Sequence, residues 1–395
     1  MLIRVNSWTK KIFLMKHIVN ISSLLLVVVS IACSKEPEEP DIPIMTMTVE
    51  IRHDLPTPIY IIMYGVGSAT IDWGDGSIDT IELVNSNTPG DIFRHDYAGF
   101  ITYTVRISGK YITYLCCVSY YITSIDVSKN PALTELLCYE SGQLTNLVVR
   151  GATGLKRLGC FSNRQLANLD VGGNPELTVL NCSNNQLTSL DVSKNPLLTS
   201  LACAGNKLTN LDISKNFALR SLDYSFNPIT PPDISKDTEL TTLNCAGTQL
   251  TSLDVSKHIA LTGLNCFNNQ LTSLDVSKNT ALKGLDCSGN RLTSLDVSAN
   301  TSLVNLFCDY NPLTSLDMSK NPELITLSCY SIGFSSEALN ALFQSLHSNT
   351  IMDTENKKTV YIGENPGTDD CDKDIATAKG WIVDVVIPPW LWMRH

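Results

Sequence analysis

Leu271-Thr-Ser-Leu274-Asp-Val276-Ser-Lys-Asn279-Thr-Ala-Leu282-Lys-Gly-Leu285-Asp-Cys287-Ser-Gly-Asn290 contains two halves, each of the form L-x-x-L-x-φ-x-x-N. The spacing of two between Leu285 and Cys287 predicts a short strand with both side chains inward. The same stretch recurs along the chain, and its cysteine marks the period. Cys117, Cys138, Cys160, Cys182, Cys203, Cys245, Cys266, Cys287, Cys308 and Cys329 follow one another at 21 or 22 residues, apart from one step of 42. Tyr224 fills the rung inside that gap. Self-similarity at this period is the mark of a solenoid, in which no unit buries its own apolar face and stacking supplies the core. Solenoids bind along extended surfaces.

Asn recurs at Asn163, Asn185, Asn206, Asn227, Asn269, Asn290 and Asn311. An inward amide there can pair backbone groups of neighbouring turns that would otherwise be orphaned in the core. The pattern is that of the leucine-rich repeat, L-x-x-L-x-L-x-x-N-x-L. Units open at Ile122, Leu144, Leu166, Leu187, Leu208, Ile229, Leu250, Leu271, Leu292 and Leu313. With the half-turn ending in Leu115 and Cys117, these predict eleven parallel strands in a right-handed arc about 50 Å long at roughly 4.8 Å per strand. Over residues 111–333 the repeat resembles the cysteine-ladder repeats of internalin J, a surface adhesin. It resembles more closely the leucine-rich lipoproteins of Bacteroidetes-type bacteria. The resemblance implies a fold and a binding role, and names no ligand.

The cysteines read as packing. An inward Cys behaves as a small hydrophobe. One per rung makes a column, whereas zinc needs four ligands around a point, and no C-x-x-C occurs. Side chains pointing the same way from adjacent parallel strands suit a disulfide poorly. The ladder is therefore expected to stay reduced, with Cys116 and Cys371 outside it. No metal and no cofactor is expected.

Residues 1–32 read as a targeting segment. Lys10, Lys11 and Lys16 precede an apolar run ending in Ser30-Ile31-Ala32-Cys33, which resembles a bacterial lipobox with Cys33 as the lipidated residue and Ser in place of the usual Leu. Met15 is an alternative start. Residues 33–42 are acidic and proline-bearing, a tether that resembles export signals for the outer face of the outer membrane. The expected location is thus the bacterial outer membrane, lipid-anchored through Cys33 and surface-exposed. Removing residues 1–32 takes away Arg4, Lys10, Lys11 and Lys16 and no acid, so the net charge goes from −10 to −14. Nucleic acid is excluded as a partner, since phosphate binding needs basic patches.

Residues 43–110 depart from the repeat. Strands are expected at Met45–Arg52, Ile59–Tyr64 and Tyr103–Ile107. The turn Trp73-Gly74-Asp75-Gly76 with His95-Asp96-Tyr97 resembles a PKD-like β-sandwich, which would cover the open end of the solenoid. Asp72 and Asp75 could be read as calcium ligands, or as turn residues accepting local N–H bonds. Residues 334–387 predict an α/β cap: a helix with Leu339, Leu342, Phe343 and Leu346 behind Ser335 or Ser336, a strand at Thr359–Ile362, a short helix around Asp372–Lys379 and a strand at Trp381–Val385. The block resembles the caps of the same lipoprotein group. Residues 388–395 form an apolar tail.

No H-E-x-x-H, G-x-S-x-G or G-x-x-x-x-G-K motif is present and the six histidines are scattered, so no enzyme is expected. Abundant carboxylates leave a glycosidase-like acid pair open on counting, but nearly all of them occupy repeat positions. Asp126, Asp170, Asp191, Asp212, Asp233, Asp254, Asp275, Asp296 and Asp317 form a ladder, and seven of them have Lys three residues on. It reads as a solvated face or as a cation-binding stripe. A partner would meet the outward residues of the strands. The central rungs (Ser200, Ala202, Ser221, Asp223, Thr242, Asn244) are small or polar and lack the aromatic and Arg side chains that favour hot spots. Two richer clusters flank them. The first is Leu137, Tyr139, Arg157 and Phe161. The second, the preferred binding site, is Phe267, Phe307, Asp309 and Tyr330. The expected function is a surface adhesin or protein-interaction lipoprotein with a protein ligand. The alternative is a glycan-binding accessory lipoprotein.

Overall fold

The computed structural model describes residues 42–51, 53–84, 92–349 and 357–386. The chain divides into two units, Met1–Asp41 and Ile42–His395; the signal segment, Cys33, the tether to residue 41 and the tail 388–395 lie outside the described residues.

The second unit begins with β1 (Ile44–Glu50), β2 (His53–Gly65), β3 (Ser68–Asp72), β4 (Ile78–Glu82), β5 (Ile92–Gly99) and β6 (Thr102–Ser108). These strands belong to two sheets, and both sheets run on into the solenoid. In one, β1 pairs antiparallel with β6 and with β8 (Ile122–Asp126). In the other, β2 pairs antiparallel with β5 and with β7 (Ile112–Val118). The first turns of the solenoid thus meet paired strands, and the two sheets end at that side on β4 and β5.

From β7 onward the strands are parallel. β9 (Glu135–Leu137) pairs with β7, while β10 (Asn146–Val148) pairs with β8 on the opposite side of the turn. Then β11 (Arg157–Gly159), β12 (Val179–Asn181), β13 (Ser200–Ala202), β14 (Ser221–Asp223), β15 (Thr242–Asn244), β16 (Gly263–Asn265), β17 (Gly284–Asp286), β18 (Asn305–Phe307) and β19 (Thr326–Ser328) follow in sequence order. Their central leucines align, for example Leu243, Leu264 and Leu285. The cap extends the same sheet. Helix α1 (Ser336–Ser345) is capped by Ser335, whose Oγ accepts the Ala338 N–H. β20 (Thr359–Tyr361) then pairs with β19, and after α2 (Asp374–Thr377) β21 (Ile382–Asp384) closes a 15-stranded sheet. The chain is a parallel leucine-rich repeat solenoid.

Two amide columns hold the turns together. Asn290 Nδ2 donates to the carbonyl of Cys266 one turn back (3.0 Å) and to its own turn's Cys287 (2.9 Å), while Oδ1 accepts the Leu271 N–H (3.0 Å). Asn163, Asn185, Asn206, Asn227, Asn269 and Asn311 repeat the donation to the turn before. In the second half of the unit Asn279 donates to Val255 O (3.0 Å) and His258 O (2.8 Å), as Asn195, Asn216, Asn300 and Asn321 do at their own rungs.

All ten ladder cysteines are fully buried and unpaired. Burial pushes their thiols up, Cys245 to about 12. Only the thiolate attacks, so native protein is expected to leave the ladder untouched by an aromatic disulfide reagent. Denaturation without reductant should release all ten thiols; a count well short of ten would contradict a reduced, inert ladder.

Candidate functional site

Each solenoid strand is three residues long, out–in–out, so one face of the sheet is written by two residues per turn. Across β14–β18 these are Ser221 and Asp223, Thr242 and Asn244, Gly263 and Asn265, Gly284 and Asp286, Asn305 and Phe307. They line a shallow groove of about 390 Å3. Glycine opens its floor: a Cβ on Gly284 would meet nothing within 4 Å. One flank is a polar column. Asp223 Oδ2 accepts from Asn244 Nδ2 (3.1 Å), and Asn265 Oδ1 accepts the Phe267 N–H (3.0 Å). Phe307, half-buried, closes the far end.

The other three residues of the second cluster do not reach this face. Phe267 is 8%, Asp309 0% and Tyr330 3% exposed. The strand ends before the cysteine, so the residue after the cysteine sits in the turn; there Phe267, Asp309 and Tyr330 are covered by their neighbours, whereas Tyr139 and Phe161 at the same position stay partly open. Asp309 accepts hydrogen bonds from Ser288 Oγ (3.3 Å), Ser328 Oγ and the Tyr330 N–H (2.8 Å). Burial raises its carboxyl to about 6 against those bonds. Tyr330 lies over Gly363, where a Cβ would stand 2.5 Å from its ring.

The first cluster is open, and larger than its sequence suggests. Tyr139 and Phe161 stack at 4.8 Å with planes 3° apart, and Arg157 Nε lies 3.3 Å from Glu135 Oε1. Leu137 stands beside Cys116 of β7, which in turn faces Ile62 of β2. Tyr64 and Tyr114 meet edge-to-face at 4.8 Å. Tyr60, Ile62, Tyr64, Tyr114 and Val118 all retain exposure. An aromatic strip therefore runs across the seam between the N-terminal strands and the repeats. Sequence reasoning missed its N-terminal half. The signal was there, since Ile59–Tyr64 is apolar at every position, whereas a strand with one solvated face alternates.

The carboxylate ladder serves the turns. Each Asp Oδ1 accepts an N–H two residues on, as with Asp191–Ser193 and Asp275–Ser277 (both 2.9 Å). Hydrogen bonds from Ser193 hold Asp191 below the usual carboxylate range, and Ser277 does the same for Asp275. Asp72 and Asp75 are likewise turn acceptors, for Gly74 N (2.9 Å) and Ser77 N (3.0 Å). Asp75 is also 2.7 Å from His95, which stacks on Trp73. Although burial opposes it, the bonds from Ser77 and His95 bring Asp75 to about 2. Among the described residues no three His, Cys, Asp or Glu side chains gather as a metal site.

One rung of the second amide column carries Asp237, 2% exposed. By register it faces the Ile213 and Asn216 carbonyls, where a carboxylate has nothing to donate. Burial raises its pKa to about 6 from an ordinary 3.8. The folded state therefore binds this proton more tightly than the unfolded chain, and stability present at low pH is lost as pH rises from about 4 to 6. Asp237→Asn should recover about 1–3 kcal/mol above pH 6 and little near pH 4. Urea titrations at the two pH values check this; an equal gain at both would show that ionisation is not the cause.

No family model matches the chain, and no curated protein does. Among solved structures it is similar to the functional domain of InlJ from Listeria monocytogenes, which includes a cysteine ladder, at 32% identity and TM-score 0.48 over 64% of this chain. The chain spans 65% of that domain's length. It is similar also to the leucine-rich repeat protein LIC12759 of Leptospira interrogans, at 22% identity and TM-score 0.52 over 66% of this chain and 74% of that one. The internalin InlF of Listeria monocytogenes follows at 20% identity and TM-score 0.45, over 57% of this chain and 87% of that one.

Proposed function

We propose that the chain is a non-enzymatic binding scaffold of the bacterial cell surface, an adhesin or protein-interaction lipoprotein. It is held in the outer membrane by a lipid on Cys33, and it grips a protein partner with the strand face of the solenoid. The carrying observation is the seam strip of Tyr64, Tyr114, Leu137, Tyr139 and Phe161, with the Arg157–Glu135 pair at its edge. Tyr and Arg are the residue types that anchor protein interfaces. The glycan alternative is less well supported, because Tyr139 and Phe161 spend one ring face on each other and a pyranose needs an open face to stack on. A PKD-like N-terminal module suits the same reading, as a spacer next to the tether.

The test is an array of mucosal proteins and purified glycans probed with soluble Ser34–His395. Saturable binding to a protein that survives deglycosylation is expected. Tyr139→Ser with Phe161→Ser should weaken it at least about tenfold, or about 1.4 kcal/mol, with the thermal transition retained. Phe267→Ser and Tyr330→Ser should act only through stability. Binding to glycans alone would overturn the protein reading.

A further inference from the structure

Four strands end the two sheets: β10 and β4 in one, β21 and β5 in the other. An unpaired strand edge is a template for another chain, and proteins blunt it with short strands, charge, proline or bulges. Three of the ends are blunted. β10 and β21 are three residues long. β4 has five residues, and its two charges, Asp79 and Glu82, are both acidic. β5 has eight residues with no lysine and no proline. Among the described residues it pairs with β2 and with no strand on its other side. Its first residue, Ile92, is 64% exposed.

β5 also carries a charge pattern that fits itself. Arg94 and Asp96 stand on the outer face of the sheet on either side of His95, with side chains 56% and 41% exposed. Their neighbours on β2 are Tyr60 and Pro58, neither of them charged. In an antiparallel pair of identical strands, residues equally far from the two-fold stand opposite each other. With the two-fold at His95, Arg94 faces the partner's Asp96 and Asp96 faces the partner's Arg94. Within the strand Arg94 Nη2 already lies 2.9 Å from Asp96 Oδ1. A guanidinium has five N–H donors and a carboxylate two oxygens, so that bond leaves capacity for the pair across the two-fold. Charges directly opposite in a sheet attract or repel by sign, which fixes this register over its neighbours. An apolar row leads to the same edge: Leu137 of β9 faces Cys116 of β7, Cys116 faces Ile62 of β2, and Ile62 faces Ile92.

We propose that β5 binds a second copy of this chain: two β5 strands pair antiparallel about His95 and join two solenoids in one continuous sheet. Such a contact is isologous and closes as a dimer. It sets the outer faces of both copies, and with them both seam strips, on the same side of the joint sheet. The inference stands whatever the seam strip holds.

The experiment is sedimentation equilibrium of soluble Ser34–His395, which contains every described residue. A monomer–dimer Kd on the order of 10 μM is expected, as for a small interface. Arg94→Asp sets acid against acid at both symmetric positions, and Asp96→Arg sets base against base. Each should raise Kd at least about tenfold, with the thermal transition retained because both side chains are exposed. Arg94→Asp and Asp96→Arg together in one chain make the strand self-complementary again and should restore the dimer. An equimolar mixture of the two single variants should form a heterodimer, since one strand is then acidic and the other basic at both positions. Glu82→Lys, on the edge strand β4, should leave Kd unchanged. A chain still monomeric at about 1 mM, a dimer indifferent to either single reversal, a Kd moved as far by Glu82→Lys, or no recovery in the mixture would overturn the proposal.

Discussion

Asn290→Ala is expected to cost about 3–5 kcal/mol, far above a typical substitution. The side chain is 7% exposed and serves two turns at once. Its loss leaves the N–H of Leu271 without a partner and takes one donor from each of the carbonyls of Cys266 and Cys287, which keep Asn269 and Asn311. No water can reach Leu271, which is fully buried. The orphaned N–H carries about 1–3 kcal/mol, and each bond lost by a carbonyl about 0.5–1.5 kcal/mol. Asn290→Asp separates the contributions, since it keeps an acceptor for Leu271 and sets a carboxylate against two carbonyls. It should be no better than alanine at neutral pH and should improve on acidification. Urea midpoints read both. A loss below about 1 kcal/mol for alanine would mean that the column follows the packing and does not hold it.

Tyr224→Ala should cost a similar amount, about 3–5 kcal/mol, because a buried ring would leave a cavity that neighbouring turns cannot collapse into. Tyr224 is 1% exposed, in a column otherwise made of cysteine. Its extra volume has a counterpart. Pro232 occupies the position of Leu211 in the turn before and Leu253 in the turn after, and Tyr224 and Pro232 line the same space. Tyr224→Cys alone, though it restores the ladder, should therefore destabilise. Tyr224→Cys with Pro232→Leu should recover most of the loss. The two border one space, so their effects should not add. Strict additivity in thermal unfolding would refute the volume exchange.

These two sites mark what the sequence made legible and what it did not. The period exposed the strands, the inward asparagines and the buried thiols, because each is local and recurs from turn to turn. It showed Tyr224 in the missing rung, but Pro232 as its counterpart is a three-dimensional fact. Ser335 as a cap and the two cap strands followed from local chemistry; the second helix proved shorter than its pattern, only Asp374–Thr377. The candidate site was legible in part. Phe307, Tyr139, Arg157 and Phe161 reach the face expected of them. Phe267, Asp309 and Tyr330 stand at the same position after the cysteine as Tyr139 and Phe161 but are covered by neighbouring turns and the cap, a difference in surroundings that the repeat does not encode. Tyr64 and Tyr114 join the strip through the pairing of β2 with β7, a contact between segments some fifty residues apart in sequence that no periodicity encodes.

The single sheet shared by the N-terminal strands, the repeats and the cap has a metric consequence. Phe161 follows β11, and Phe307 closes β18, seven strand spacings away, or roughly 33 Å. Every 21-residue copy gained or lost between them would shift one end against the other by a fixed increment of roughly 4.8 Å, with each end's own chemistry untouched. The molecule is in that sense a ruler graduated in turns, and the number of copies is a quantity that selection can adjust to the size of whatever spans the two marks.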